Sequence, residues 1–225
     1  MSIIIGARSE LTPGAVKRLH EFRHEIFVQR LGWRLPLVDG SECDQYDLPD
    51  TMYVMECDAD GRVRACARLL RTTSSYMLPE VFGQLLGSAS APCDAKIWEL
   101  SRLAVSVRAT GSGRALSFSS ATLHLLNVVR DFVAQHAVER VVMVTTLAIE
   151  RLILRSGLQV SRVAAPANVC GEICVAIFIE VPQGPGPAVR GSLVRRRRQP
   201  GIRRGCPTLP GPRCQSIDET QETPE

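Results

Sequence analysis

A carboxylate and a guanidinium lie three residues apart in KIWELSRLAV, positions 96–105, a stretch otherwise typical of a buried strand. Side chains of a regular strand alternate between the two faces of a sheet, so Glu99 and Arg102 would point in opposite directions. A carboxylate in a cleft can act as a general base, and an arginine can bind a carboxylate through two hydrogen bonds. Both charges need partners or a function, because an unpaired buried charge is costly.

Another arginine lies on the apolar face of the first predicted helix. Residues 13–31 are expected to form one amphipathic helix, with Pro13 in its first turn. A rotation of 100° per residue gives an apolar stripe of Val16, Leu19, Phe22, Ile26 and Phe27. Arg23 lies in the middle of this stripe and Arg30 lies close to it. A buried Arg23 needs an anion, which is either a protein carboxylate or a bound ligand.

Acidic residues follow in the segment SECDQYD, positions 41–47, as Glu42, Asp44 and Asp47. One more cation, Arg68, lies in the sequence ARLL near the end of a predicted strand. On a surface loop such acids are ordinary, whereas opposite inward-pointing arginines they would form a polar cleft. The sequence leaves both interpretations open.

The elements that must position these side chains alternate between strand and helix patterns. Apolar alternation and helical spacing predict strands at 51–57, 62–70, 97–105, 141–146, 158–163 and 171–181, and helices near 81–86, 113–136 and 147–155. The turn DADG joins the first two strands, and Gly157 ends the last helix. The strand VVMVTT has no polar face and is expected in the centre of the sheet. The sum is an α/β (α+β) fold, with a mixed central sheet flanked by helices.

Length and composition favour one domain at 1–181 followed by a tail at 182–225. Eight of the 27 basic residues and four of the 23 acidic residues lie in the tail, so the body carries 19 of each sign. The tail is rich in Pro, Gly and Arg and is expected to be mostly disordered. Its RRRR run could contact nucleic acid or an acidic protein, but a solvated tail without function is favoured, and nucleic acid is not an expected partner.

Targeting signals and cysteine usage favour a cytoplasmic protein. No uncharged apolar run of about 18 residues occurs, and MSIIIGARSE is too short and too soon charged for a signal peptide. We therefore expect no membrane association. The eight cysteines include no C-x-x-C pair, so buried, reduced thiols are expected.

The segment FRHEIFVQRLGW, positions 22–33, resembles the start of the acyl-homoserine-lactone synthases, the autoinducer synthases of bacterial quorum sensing. The family pattern of an Arg, a Phe four residues later and then LGW is matched by Arg23, Phe27 and Leu31-Gly32-Trp33. The later motifs are matched, in order, by Glu42, Asp44 and Asp47, by Arg68, by Phe82, and by Glu99, Ser101 and Arg102. RSG at 155–157 resembles a later helix end, and the resemblance covers about residues 3–181.

The resemblance implies a fold like that of the N-acetyltransferases, a three-layer sandwich in which a bulge in the central strand opens a splayed cleft for an acyl thioester. Because a bulge breaks the alternation by one residue, Glu99 and Arg102 would then face the same cleft. The implied reaction joins S-adenosylmethionine to a fatty acyl thioester, closes a lactone and releases methylthioadenosine. Both reactants are substrates, and neither a cofactor nor a metal is implied.

The implied roles separate catalysis from substrate binding. Glu99 is the candidate base for the substrate amine, and Arg23 or Arg102 is the candidate partner of the substrate carboxylate. The sulfonium and adenosine suit acids and aromatic rings, here Asp44, Asp47, Phe27 and Trp33. The other substrate-binding residues carried over are Glu42, Arg68, Phe82 and Ser101. Arg68 and Asp47 are equally suited to pair with each other and hold the walls.

The acyl chain needs an apolar tunnel, which VVMVTT and the helix after it could line. In some members a Thr on this strand favours donors with a β-oxo group. Alignment places Met143 there, which favours an unsubstituted chain, although a shift of two residues would place Thr145 there. The donor is either acyl-acyl carrier protein or acyl-coenzyme A. An acyl carrier protein would prefer a basic patch near the cleft mouth, with Arg108, Arg114, Arg151 and Arg155 as candidates.

Three other functions compete with this one. RATGSG, positions 108–113, matches the pyrophosphate-binding signature of coenzyme A-dependent N-acetyltransferases, which supports an N-acyltransferase without lactone formation, or it is a plain loop that caps a helix. HEFRH, positions 20–24, fits the zinc-protease pattern, but its histidines lie beside the apolar stripe and no third ligand follows at the usual spacing. A binding module that acts through the arginine-rich tail would leave the charges of the body unexplained.

Overall fold

The strands of the computed structural model, which describes residues 1–106, 118–182 and 192–193, form one large mixed sheet and one short hairpin. The strands are β1 Ser2–Ala7, β2 Leu37–Val38, β3 Ser41–Glu42, β4 Met52–Cys57, β5 Val63–Arg71, β6 Ile97–Val105, β7 Arg140–Thr146, β8 Val160–Arg162, β9 Ala167–Val169, β10 Glu172–Glu180 and β11 Ser192–Leu193. The order in the sheet is β11-β1-β4-β5-β6-β7-β10-β8, with β9 beside β10, while β2 pairs with β3. The parallel pair β6 and β7 lies in the centre.

The α-helices of the described residues cover both faces of this sheet. They are α1 Pro13–Arg23, α2 Met77–Val81, α3 Phe118–Ala134 and α4 Leu147–Arg155. Leu19 of α1 packs in one cluster with Tyr53 of β4. On the other face, Leu125 of α3 and Ile153 of α4 pack in a cluster with Leu100 of β6. The predicted three-layer sandwich is confirmed.

The first helix changes its hydrogen-bonding pattern halfway along. From His24 to Arg30 the chain forms a π-helix, and Leu31 N donates to the carbonyl of Ile26, five residues back, at 3.0 Å. The prediction of one regular helix over 13–31 is therefore wrong in its second half. Because the wider turn rotates the later residues, Arg30 is exposed instead of lying near the apolar stripe.

The central strand β6 contains a β-bulge at the position where its charges lie. Arg68 of β5 pairs with Ser101, whereas Cys66, two residues earlier on β5, pairs with Ala104, three residues later on β6. One extra residue of β6 therefore lies between the two pairs. Arg102 occupies the extra position, with a φ of 52° in the left-handed region. After the bulge the alternation is shifted by one residue. The side chain of Arg102 therefore lies on the same face of the sheet as Glu99, towards α1 and α2.

The two parallel strands separate beyond Glu99. β6 pairs with β7 from Ile97 opposite Arg140 to Glu99 opposite Val142, and their described pairing ends there. β7 continues to Thr146 along β10 on its other side. Beyond Glu99 the two strands are no longer paired in the described residues, and this is where we expect the cleft.

Parts of the architecture differ from the sequence prediction. The strands β1, β2, β3 and β9 were not predicted. Two residues of the tail, Ser192 and Leu193, form β11 and pair in parallel with Ile4 and Ile5 of β1. The expectation that the tail is mostly disordered stays a prediction, because nearly all of the tail outside these two residues lies beyond the described ranges.

The thiols also depart in part from expectation. Cys57 and Cys66 are buried, but Cys93 and Cys170 are exposed on loops, so burial does not hold for all the cysteines. The structure describes six of the eight cysteines, and no disulfide joins any two of these six. Within the part of the chain that the structure describes, no helix is long and apolar enough to cross a membrane.

Candidate active site

Three neighbouring strands form the floor of the candidate site. Across β4, β5 and β6, Tyr53 pairs with Arg68, and Arg68 pairs with Ser101. Residues directly opposite each other on neighbouring strands point to the same face, which here is the face covered by α1. Arg68 Nε donates to the hydroxyl of Ser101 at 3.0 Å. This bond directs the rest of the Arg68 guanidinium towards the acids at 42–47.

Arg23 reaches the same floor from the last turn of α1 and is completely buried. Its Nη1 and Nη2 donate to the two carboxylate oxygens of Asp47 at 2.7 and 3.0 Å, and its Nε donates to Glu42. The sequence left open whether Arg23 binds a protein carboxylate or a ligand. In the structure its partners are the protein carboxylates of Glu42 and Asp47.

Arg68 and Arg102 complete the ionic network from the sheet. Arg68 Nη1 donates to Asp44 at 2.5 Å and to Asp47 at 3.0 Å, so the wall-holding pair suggested by the sequence is present. Arg102 Nε and Nη2 donate to Glu42 at 3.1 and 2.9 Å, and Nη2 also donates to Asp44 at 2.7 Å. The two short strands β2 and β3 and the loop after them carry the acids to this position.

The network is electrically balanced and buried. Three arginines face three carboxylates, and none of the six side chains is more than 6% exposed. Burial alone would raise the pKa of Asp47, but the hydrogen bonds and charge of Arg23, together with Arg68, hold it well below its usual value. Loss of one member would leave an unpaired buried charge, which typically costs about 3–5 kcal/mol. The network is therefore held in one arrangement.

Glu99 lies beside the network and is only 2% exposed. Its oxygens accept hydrogen bonds from the backbone N–H groups of Met77 and Leu78, at 2.8 and 2.7 Å. These are the first two residues of α2, whose amides have no partner within the helix. Burial raises the pKa of Glu99 to about 7, although the two hydrogen bonds and the charges of Arg68 and Arg102 oppose the rise. A carboxyl group with this pKa can take up and release a proton near neutral pH.

Two guanidinium nitrogens of the network face a sulfur instead of a carboxylate. Arg68 Nη2 lies 3.1 Å and Arg102 Nη1 lies 3.7 Å from Sδ of Met77. A thioether is a weak acceptor. Within the described residues, these two nitrogens are therefore the part of the network best able to bind an incoming anion.

A pair of stacked rings forms another wall of the site. Phe27 is buried and stacks on Trp33, with the ring centroids 5.0 Å apart and the planes at 21°. The guanidinium carbon of Arg102 lies 5.6 Å from the centroid of Phe27. Trp33 is 43% exposed, so part of its ring is accessible to a flat ligand.

The structure places the predicted substrate-binding residue Phe82 and the predicted tunnel residue Met143 on different faces of the sheet. Phe82 packs with an apolar cluster that includes Leu78, Ile97 and Val142, on the Glu99 face of the sheet. Met143 is the next residue after Val142 along β7, so its side chain points to the opposite face and is buried in the cluster with α3. The structure does not bring Met143 together with the charged residues, and its role in selecting the acyl chain stays a prediction.

A cavity of about 600 Å³ lies between α3 and α4. Its lining consists of Leu123, Ala148, Arg151, Leu152, Arg155 and Ser156. Two arginines of the predicted basic patch, Arg151 and Arg155, therefore lie side by side on α4 and are exposed. The other two, Arg108 and Arg114, and the RATGSG motif fall outside the described residues.

One group of described side chains is spaced for a metal ion, namely His20, Cys43 and Asp47, whose ligand atoms lie within 4.8 Å of one another. The oxygens of Asp47 already accept five hydrogen bonds, including those from two arginines, so its electron pairs are in use. The charge of Arg23 also acts on His20 and would repel a cation. These residues do not fit a metal ion, and His24 is not part of the group, so the zinc-protease interpretation of HEFRH gains no support.

Two residues of the site were not found from the sequence. The hydroxyl of Tyr53 donates to Asp47 at 2.5 Å, and Met77 contacts both Glu99 and the arginines. Both residues lie in apolar segments whose sequence pattern contains no sign of a polar contact. The register of β4 on β5 brings Tyr53 to the site, and the packing of α2 on β6 brings Met77 there. Neither the register nor the packing can be predicted from one sequence.

Two features define the fold class of this protein. The central strand β6 carries its charged residues at a bulge, and its pairing with the parallel strand β7 ends at Glu99. The protein is an acyltransferase with an N-acetyltransferase-like fold. The chain belongs to the autoinducer synthase family, whose family model matches residues 8–185.

Individual relatives agree with this assignment. An acyl-homoserine-lactone synthase of Pseudomonas aeruginosa is 34% identical over 200 residues, which cover 88% of this chain and 98% of that protein. The crystal structure of TofI in a ternary complex with an inhibitor and methylthioadenosine has a TM-score of 0.69 at 34% identity, over 80% of this chain and 92% of that one. BjaI, a coenzyme A-dependent acyl-homoserine-lactone synthase solved with S-adenosylmethionine and isopentyl-coenzyme A, has a TM-score of 0.70 at 27% identity, over 81% and 83% of the two chains.

Proposed function

We propose that this chain is an acyl-homoserine-lactone synthase. It transfers a fatty acyl group from a thioester to the amine of S-adenosylmethionine, closes the lactone and releases methylthioadenosine. The observation that carries the proposal is the bulge of β6, which places Glu99 and Arg102 on one face beside the cleft between β6 and β7. The similarity to synthases solved with S-adenosylmethionine and with methylthioadenosine supports the same substrate here.

The charge of the site fits the charge of S-adenosylmethionine. The six ionic side chains balance, and an ionised Glu99 leaves the site with one net negative charge. The substrate carries an ammonium, a sulfonium and a carboxylate, which leave it with one net positive charge. The substrate thus neutralises the site. Burying the two opposite net charges together costs less free energy than burying either one alone.

Glu99 acts as the base in the first step. The substrate amine is mostly protonated at neutral pH and cannot attack a carbonyl in that form. Glu99 takes the proton directly or through one water, and the freed amine forms a bond to the thioester carbon. The C–S bond then breaks, the nitrogen gives up a second proton to the departing sulfur, and the carrier leaves as a thiol. The two N–H bonds from α2 hold the carboxylate in place during the transfer.

Arg102 is the better of the two candidates for the substrate carboxylate. Arg23 is enclosed and donates to protein oxygens through all three of its nitrogens. Arg102 keeps Nη1 facing only the weak acceptor Met77, and Arg68 Nη2 points to the same sulfur. A carboxylate placed there would form stronger, charge-assisted hydrogen bonds with both nitrogens. Arg23 then serves to fix Glu42 and Asp47.

The second step closes the ring without a further catalyst. The substrate carboxylate attacks the carbon next to the sulfonium, the C–S bond breaks, and its electron pair neutralises the sulfur. Methylthioadenosine leaves as a neutral thioether. The stacked pair of Phe27 and Trp33 suits the adenosine and the sulfonium. Asp44 and Asp47 already accept hydrogen bonds from the arginines and serve to hold the wall of the site. Phe82 and its apolar cluster suit the start of the acyl chain.

The carrier of the acyl group is open between acyl carrier protein and coenzyme A. The exposed arginines on α4, Arg151 and Arg155, are suited to the acidic surface of a carrier protein and equally to the phosphates of coenzyme A. We expect the reaction to take place in the cytoplasm. Neither nucleic acid nor a membrane has a role in the chemistry.

The proposal is tested with the purified full-length chain, S-adenosylmethionine and a matched panel of acyl groups, each offered on acyl carrier protein and on coenzyme A. Mass spectrometry should find an acyl-homoserine lactone and methylthioadenosine for at least one donor. An amide that accumulates without methylthioadenosine would instead indicate an N-acyltransferase. The same panel with Arg151→Glu and Arg155→Glu shows whether α4 contributes to the choice of carrier.

A further inference from the structure

The bulge of β6 has an unusual residue at its critical position. Two residues of β6, Arg102 and Leu103, oppose the single residue Ala67 of β5. Arg102 takes the first of these positions with a φ of 52°. Bulges of this geometry normally have glycine there, because other residues are strained in the left-handed region, typically by about 1 kcal/mol or more. The arginine must therefore be held in place by its surroundings.

The side chain of Arg102 explains only part of this restraint. Its guanidinium donates to Glu42 and Asp44, which fixes the far end of the side chain. The carbonyl of Arg102 is a separate requirement, because a bulge interrupts the ladder and leaves a buried backbone group to be satisfied. The thiol of Cys66, on the neighbouring strand β5, donates to this carbonyl at 3.4 Å.

The environment of Cys66 makes its thiol a permanent donor. The residue is 1% exposed and lies on the same face of β5 as Arg68, two positions before it. Burial raises the pKa of Cys66 to about 12, so the thiol keeps its proton over the whole working range of pH. The family resemblance does not single out this residue.

We propose that Cys66 is a positioning residue of the synthase, which holds the backbone of Arg102 in its left-handed conformation so that Nη1 of Arg102 points to the substrate carboxylate. The proposal rests on the function proposed above. Without the thiol, Arg102 would relax towards an extended conformation, and its Nη1 would turn away from its position beside Met77. The binding of S-adenosylmethionine should suffer more than the stability of the fold.

Three variants test this inference by steady-state kinetics with S-adenosylmethionine as the varied substrate. Cys66→Ala removes the donor and should raise KM about three- to tenfold, as expected for the loss of one modest hydrogen bond. Cys66→Ser restores a donor of similar size and should return KM to the wild-type value. Cys57→Ala is the matched control, because Cys57 is a buried thiol of β4 whose charged neighbours are Arg18, Asp58 and Glu56. Its KM should equal that of the wild type.

An unchanged KM in Cys66→Ala, with only a lower melting temperature, would overturn the proposal and leave Cys66 a packing residue. A failure of Cys66→Ser to restore KM would overturn it as well. If Cys66→Ala does not fold, infrared spectroscopy of the wild type decides the question. The S–H stretching band of Cys66 is the one that is present in the wild type and absent from Cys66→Ser. A band at the frequency of a hydrogen-bonded thiol supports the proposal, and one at the free frequency refutes it. A wild-type chain that makes no lactone would refute the proposed function, while the infrared band would still report on the thiol.

Discussion

Glu99 must satisfy two opposing requirements of a general base. It must lose its proton easily enough to be ionised at neutral pH, and it must hold a proton well enough to take one from an ammonium group. Burial moves its pKa upwards to about 7, while the N–H groups of Met77 and Leu78 and the nearby arginines oppose that rise. The balance leaves the pKa of Glu99 close to the pH at which the reaction runs.

The first prediction follows from the sign of this shift. Glu99 works as a base only when ionised, so kcat/KM should fall as the pH drops through about 7 and level off above it. A pH–rate profile of the wild-type chain checks this expectation. A profile that stays flat from pH 6 to about 8 would contradict the role of Glu99 as the titrating base.

Replacement of the base gives the second prediction. Glu99→Gln keeps the shape but cannot take a proton, and kcat should fall about 10²- to 10⁴-fold. Glu139→Gln is the matched control, because this glutamate is exposed and pairs with Lys96 on the surface. Its kcat should equal that of the wild type. Near-normal turnover in Glu99→Gln would show that another group removes the proton.

Asp47 gives a prediction about stability. Asp47→Asn removes a charge that balances Arg23 and Arg68, and the free energy of unfolding should fall by about 3 kcal/mol or more. Because the folded pKa of Asp47 lies below the unfolded one, its contribution is present above about pH 4 and is lost as the pH falls further. Denaturant unfolding should therefore show a gap between wild type and variant that narrows in acid. A gap below about 1 kcal/mol at pH 7, as expected for an exposed pair, would contradict this account.

At the scale of single residues, the sequence predicted the charged members of the candidate site but not two of its neutral ones, Tyr53 and Met77. Arg23 on an apolar stripe and Glu99 in a strand are conspicuous, because each is a charge where burial is expected. Tyr53 and Met77 are not conspicuous, because apolar residues in apolar segments give no signal of a polar contact. Their roles depend on which strand or helix lies opposite, and that is a property of the fold.

At the scale of elements, α2 depends on Glu99 as much as Glu99 depends on α2. The helix has only five residues, and its first two amides donate to this one carboxylate. Glu99→Gln can accept only one of the two bonds, so hydrogen exchange in 77–81 should become about five- to tenfold faster. Mass spectrometry of exchange checks this, with α4 as the internal control. Unchanged exchange in α2 would mean that the helix is held by packing alone.

Regular elements were easier to predict than irregular ones. The strands β6 and β7 and the helix α4 follow the expected apolar periods closely. The π-helix at His24–Arg30 was missed, because one extra residue per turn leaves no local sign in the sequence. The bulge in β6 could be expected only from the family resemblance, since Arg102 stands where a glycine would have revealed it. Short strands such as β9 form through their neighbours and have little pattern of their own.

At the scale of the whole molecule, the body and the tail make separable contributions. The family match ends at residue 185, but Ser192 and Leu193 still add β11 to the edge of the sheet at β1. A chain that ends at 193 should keep the kinetic constants of the full-length protein. A chain that ends at 181 should keep them too but unfold at a lower temperature, because β1 then becomes an edge strand. Loss of activity in the first truncation would give the arginine-rich segment a role in the reaction.

The central claim is that one cleft joins S-adenosylmethionine to an acyl thioester and then closes a lactone. The most direct measurement follows the purified chain with isotope-labelled S-adenosylmethionine and its best acyl donor, and quantifies both products by mass spectrometry. The account predicts one acyl-homoserine lactone for each methylthioadenosine, with both lost together in Glu99→Gln. Formation of methylthioadenosine without lactone, or of neither product with any donor of the panel, would contradict it.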